Sequence, residues 1–119
     1  MQYRAEDVAE RLQVEDVVVR LFVATDERDW PTVDGCFTDP LTLDMTSMAG
    51  GAPAQMKPSE LSAAWAAGFE PLDHVAVKSR SFVGSYAFTL AKAGGRWRIS
   101  LLKFNLKFIE GNVELEKAV

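Results

Sequence analysis

The sequence predicts a single α+β domain spanning residues 1–119, a cone-shaped α+β barrel in which three N-terminal helices pack on a curved antiparallel sheet. Three observations carry this. Apolar residues recur at helical spacing between residues 5 and 26, residues 79–108 alternate with the period of a strand around a glycine turn, and that alternation changes phase near Leu101 and Leu102.

Val8, Leu12, Val17, Val18, Leu21 and Phe22 form the apolar stripe of the first helix, Ala5 to about Asp26, with Glu6, Asp7, Glu10 and Arg11 on its other side. Asp29 stands where an N-cap belongs, before Trp30 and Pro31 in a first turn that tolerates proline, and Gly35 suits the end of a short second helix. Leu41, Leu43 and Met45 then alternate with Thr42, Asp44 and Thr46, which reads as a strand with its carboxylate opposite its leucines. Gly50, Gly51, Ala52 and Pro53 mark a loop. A third helix opens at Pro58, carries Leu61, Ala64 and Trp65 at helical spacing, and is expected to stop at Gly68.

In the C-terminal hairpin, Phe82, Tyr86, Phe88 and Leu90 share one face, and Ala93, Gly94 and Gly95 make the turn. The returning strand has Trp97, Ile99 and Leu101 on one parity but Leu102, Phe104, Leu106 and Phe108 on the other. A β-bulge at the change of phase bends the strand, and such bends curl a sheet into an open cone.

A 119-residue chain that is 48% hydrophobic can close one core, burying roughly two-thirds of its unfolded surface. Thirteen basic against seventeen acidic residues give a net charge of -4, which lacks the basic footprint of a nucleic-acid-binding protein. The apolar runs fall well short of the roughly 20 residues that span a bilayer, so neither nucleic acid nor membrane is expected as a partner and a cytoplasmic location is. One cysteine, Cys36, and one histidine, His74, cannot assemble a Cys/His zinc site, and no metal or cofactor is expected. Cys36 beside Phe37 reads as a buried, inert thiol.

Helix hairpin, strand, third helix and long hairpin together resemble the SnoaL-like branch of the nuclear-transport-factor-2-like superfamily. The residues that carry the likeness are Thr25-Asp26-Glu27-Arg28-Asp29-Trp30, Leu43-Asp44-Met45-Thr46-Ser47, Asp73-His74 and Gly95-Arg96-Trp97-Arg98-Ile99. The resemblance implies the cone fold and one of two classes of task. The first is a cofactor-independent lyase, isomerase or cyclase acting on an apolar polyketide-, steroid- or terpenoid-like molecule. The second is a non-catalytic ligand-binding or dimerisation module. Relatives place more chain between the Asp-His segment and the Arg-Ser-Phe-Val-Gly strand than Val75 to Ser81 provides. A strand and turn of about 15 to 20 residues is absent here, either as a genuine deletion or as a disordered stretch left out of the sequence; a genuine deletion would leave the sheet a member short and the pocket open on one flank.

By the same resemblance, Asp26 orients a histidine that acts as acid and base, and His74 matches that histidine by position. Asp44 matches the carboxylate with which ketosteroid isomerases move a proton between carbons. Each also has a bland reading: Asp26 as a helix-end carboxylate in water, His74 as a loop histidine, Asp44 as a solvent-facing strand residue. Met45 and Thr25 occupy positions where scytalone-type dehydratases prefer tyrosines, which argues against that particular dehydration. Met45, Trp65, Tyr86, Phe82 and Asn105 are the candidate substrate-binding residues, with Met48 and Met56 as further pliable lining. Tyr86 offers a phenolic donor in an apolar wall or packs with its hydroxyl at the rim. Asn105, between Lys103 and Lys107, is a polar patch of a pocket or a solvated or dimer-facing strand. A sheet this apolar calls for cover, so a homodimer is expected beside the small-molecule ligand under either reading, with the Phe104 to Phe108 strand as its interface in the non-catalytic module.

Overall fold

The computed structural model describes residues 4–73 and 80–111, the segments 70–73, 80–83 and 108–111 in backbone only. The elements run α1 (Ala5–Asp26), α2 (Trp30–Gly35), β1 (Phe37–Asp44), α3 (Thr46–Ala49), β2 (Ala54–Met56), α4 (Pro58–Asp73), β3 (Arg80–Ala93) and β4 (Arg96–Gly111). The order across the sheet is β2-β1-β4-β3. β1 pairs antiparallel with β2, and β3 with β4, but β1 runs parallel to β4. The sheet is therefore mixed rather than antiparallel: α4 carries the chain from β2 across to β3 at the far edge, and the hairpin turn then brings β4 back beside β1 in the same direction.

The phase change in β4 is a bulge. Thr89 pairs with Leu101 and Leu90 with Ile99, so Ser100 faces no partner residue. Its hydroxyl donates to the Thr89 carbonyl at 3.1 Å. The extra residue brings Ile99, Leu102 and Phe104 onto one side, where they are at most 3% exposed. A second shift pairs Val83 with Phe108 and Gly84 with Leu106, leaving Lys107 over. At the turn, Gly94 and Gly95 have φ of 59° and 76°, the left-handed pair that a two-residue hairpin turn requires.

α1 has the expected bounds, but its stripe is two faces. Val8 and Val17 are nine residues apart, two and a half turns, and so lie on opposite sides at 3.6 residues per turn. Val17, Leu21 and Ala24 enter the core, whereas Val8, Leu12, Val19 and Val23 are exposed along the outside and Phe22 is 39% exposed at the edge. Asp29 caps α2 as expected, accepting from the Thr32 hydroxyl at 2.7 Å and from the Thr32 N–H. α4 does not stop at Gly68. That glycine keeps helical backbone angles and the helix runs one turn further, since one exposed glycine costs only about 1 kcal/mol against its neighbours. Glu60 reaches back from α4 to accept the Lys57 N–H at 3.1 Å, closing its first turn. α3, absent from the expected elements, is one turn inserted between β1 and β2.

The core lies between the concave face of β1, β4 and β3 and the helices, centred on Leu21, Val33, Leu41, Leu61 and Ile99. Cys36 is buried there, with its thiol on the Thr32 carbonyl and its titration pushed up chiefly by burial, in keeping with an inert role. Among the described residues no helix is long and apolar enough to cross a membrane.

Gly84 tests the second bulge, because a Cβ there would run into the Asn105 carbonyl and reach the Phe104 ring at 2.9 Å. Gly84→Ala should destabilise the fold by about 1–3 kcal/mol. Gly68→Ala, with open space around it, should instead stabilise by about 0.5–1 kcal/mol. Urea unfolding of the two variants checks both signs.

Candidate functional site

A cavity of about 400 Å³ opens between the C-terminal half of α1, the α3 turn, α4 and the inner face of the β3–β4 hairpin. α1 contributes Leu21, Phe22, Thr25 and Asp26, a spread that wraps from its buried face to its edge. Trp65 and Phe69, one turn apart on α4, face them, and the hairpin supplies Tyr86, Leu102 and Phe104. The rings interlock: Tyr86 pairs across the ladder with Phe104 at 5.0 Å between centroids and meets the edge of Phe22 at 5.1 Å.

Met45 and Met48 form the remaining wall, and their position depends on two pins at the end of β1. Asp44 Oδ1 accepts from the Thr46 hydroxyl at 2.7 Å and from the Thr46 N–H at 3.1 Å, turning the chain into α3. Beyond the end of β1, where β4 runs out of strand partner, the Leu106 N–H donates to the Ser47 hydroxyl at 2.9 Å. Asp44 itself does not line the cavity. The Thr46 hydroxyl, then its N–H, hold the Asp44 carboxyl below the usual carboxylate range against a small opposing effect of burial, with Lys103 on the neighbouring strand helping. A carboxylate so held is a weaker base, and its two contacts turn the chain into α3.

Asp26 is at the cavity and exposed; its carboxylate makes no hydrogen bond among the described residues, and it is the one charged side chain among the described lining. Thr25 beside it has given its hydroxyl proton to the Leu21 carbonyl at 2.7 Å, as helical threonines do. Tyr86 is half exposed, and burial of the rest of its ring raises its phenol's pKa, so it stays protonated. Next to Asp26 the chain leaves α1 through Arg28, which has φ of 59°. Its guanidinium donates to the Thr25 carbonyl at 2.9 Å and lies 4.5 Å from the centroid of Phe69, whose ring also stacks with Trp30 at 6.2 Å. That contact fastens the end of α1 to α4 and sets the distance between Asp26 and Phe69.

Of the candidate residues, the structure brings Asp26, Met45, Trp65 and Tyr86 together. Asn105 follows Phe104 on β4 and so faces the other side of the sheet, away from the cavity. His74 and the Phe82 side chain lie outside the described residues. Met48 lines the wall as expected, while Met56 packs on the core instead. Phe22, Phe69 and Phe104 were not among the candidates. The spacing of Phe69 one turn after Trp65 was the available signal for one of them, whereas Phe22 and Phe104 are indistinguishable in sequence from core. Phe104 is 3% exposed, on the concave face.

The matching family model is the SnoaL-like domain, over residues 6–80, more than half of the sequence. This chain belongs to the SnoaL-like family. Among solved structures it is similar to the Kfla4162 protein of Kribbella flavida, with 16% identity, a TM-score of 0.68, and 92% of this chain and 97% of that one covered. A candidate scytalone dehydratase of Novosphingobium aromaticivorans matches at 10% identity and a TM-score of 0.65, covering 89% of each chain. The type 2 hexachlorocyclohexane dehydrochlorinase LinA matches at 10% identity and a TM-score of 0.63, covering 89% of this chain and 90% of its own. At such identities these likenesses show the nuclear-transport-factor-2-like cone fold that the SnoaL-like domain shares. No curated protein matches the chain in sequence.

The depressed titration of Asp44 fixes a sign. A carboxyl whose folded value lies below its ordinary 3.8 adds stability that is whole above that value and lost as pH falls through the folded one. Asp44→Asn should therefore be less stable than the wild type at about pH 6, with the difference shrinking toward about pH 2.5. Denaturant titrations of both proteins across that range measure it.

Proposed function

We propose that this SnoaL-like chain binds a small, largely apolar molecule in the cavity and acts on it as a cofactor-independent lyase or isomerase. The observation that carries the reading is an aromatic-walled cavity of about 400 Å³ whose described lining includes a single carboxylate, Asp26, at its mouth. Pockets of roughly 300–1,000 Å³ suit small organic ligands, and apolar walls with few polar groups are their usual composition. In this proposal Asp26 orients the imidazole of His74, which takes a proton from one carbon of the substrate while a leaving group departs from the next, or returns it to another position. Two of the fold neighbours are described as a dehydratase and a dehydrochlorinase, both names for eliminations of that form, which supports the lyase side.

The proposal includes a homodimer. Its support is the exposed stripe of Val8, Leu12, Val19 and Val23 along α1, apolar surface that a second copy would cover. Sedimentation should then give twice the chain mass, and Leu12→Glu should return it to the monomer.

For the chemistry, apolar aromatics, steroids and terpenoids that fit should raise the unfolding temperature of the wild type by mass action. Against a ligand that is turned over, Asp26→Asn and His74→Ala should each lower turnover about 10²–10⁴-fold while the fold persists. Ligands that bind without turnover in the wild type would instead leave a non-catalytic binding module.

A further inference from the structure

The polar groups of the cavity are unevenly distributed. Asp26 carries the only formal charge among the described lining residues. Thr25 has spent its hydroxyl proton on the Leu21 carbonyl, so both groups near the mouth meet a ligand as acceptors. Five rings surround the rest: Phe22, Trp65, Phe69, Tyr86 and Phe104. The faces of such rings carry negative charge and attract cations. Phe69 already holds one, the guanidinium of Arg28 at 4.5 Å, which the Thr25 and Asp26 carbonyls engage and which does not line the cavity.

We propose that the cavity selects a cationic amphiphile, a small molecule with an apolar or aromatic body between the rings of Trp65, Tyr86 and Phe104 and an ammonium group beside the Asp26 carboxylate. This rests on the reading of the cavity as the binding site and adds the charge of what it binds. An anionic ligand would meet the Asp26 carboxylate with no cation among the described lining to offset it. A neutral one gains the burial of its body and at most a single hydrogen bond from an uncharged donor to the carboxylate. An ammonium gains from both the carboxylate and the ring faces.

Calorimetric titration of the full chain with three probes of one shape tests this: 2-naphthylmethylammonium, 2-naphthylmethanol and 2-naphthoate. The wild type should bind the ammonium at least about fivefold more tightly than the alcohol, with the carboxylate weakest, and Asp26→Asn, which preserves side-chain volume, should bring ammonium and alcohol within about twofold. An alcohol bound as tightly as the ammonium, or an ammonium preference that survives Asp26→Asn, overturns the inference while leaving the cavity a binding site. If the wild type binds none of the three, the cavity reading falls and the inference with it.

Discussion

Strand β4 has to satisfy two neighbours at once, β1 running parallel and β3 antiparallel, while keeping its apolar side chains on the concave face. An unbroken strand cannot do so with this sequence. Ile99 and Leu102 are three apart and would point to opposite sides, exposing one end of the hairpin or the other. The bulge at Ser100 removes that conflict and leaves them 0% and 2% exposed. The magnitudes favour it. Burying each side chain contributes about 1.5–3 kcal/mol, whereas an interrupted ladder forgoes a hydrogen bond of net value about 0.5–1.5 kcal/mol, and the Ser100 hydroxyl recovers part of that by donating to Thr89. Curvature of the sheet, and hence a concave face for α1 and α4 to cover, follows from this one extra residue.

The cavity is what the curvature leaves over. Leu21 and Ala24 of α1 seat in the core, and the next edge of the same helix, Phe22, Thr25 and Asp26, is carried past the sheet without touching bottom. The walls that finish the cavity are set by polar contacts at chain turns. Asp44 and Ser47 hold the α3 turn and so the two methionines; Arg28, in a left-handed conformation at the end of α1, holds Phe69. Two aspartates near the site thus have different tasks because of their surroundings. Asp44 is committed to a turn through Thr46. Asp26 accepts no side-chain hydrogen bond among the described residues and lines the cavity.

Much of this was legible in the sequence, for reasons that differ by element. The bounds of α1, the Asp29 cap, the Gly94-Gly95 turn and the bulge depend on local rules, periodicity and φ, that a sequence displays directly. The parallel pairing of β1 with β4 is non-local: nothing in Phe37–Asp44 tells which strand lies beside it or in which direction. The stripe of α1 misled because Val8, Leu12, Val17 and Leu21 are all apolar, and only counting turns separates the outer pair from the inner. At the site, Asp26 was legible from the family motif and Trp65 and Tyr86 from their faces. Asn105 was misplaced because the polar parity of β4 belongs to the convex side, and the turn made by Asp44 was hidden because an Asx turn and a general base require the same residue.

The side on which the cavity stays open also bears on its chemistry. β3 is the last strand of the sheet among the described residues, with no strand partner on its outer edge. Tyr86 on that strand is 50% exposed and Phe22, against which it packs, is 39% exposed. A fully closed apolar cavity would exclude any charged group on a ligand, since transferring an ion from water is costly without a partner. A cavity closed by Leu102, Phe104 and Trp65 at its base and exposed beside Tyr86 and Asp26 would instead sort the proposed ligand along its length, apolar end inward and polar end in water. The same gradient leaves the Asp26 side chain exposed at the polar end, so the geometry that would admit an amphiphile also places the group that would recognise it.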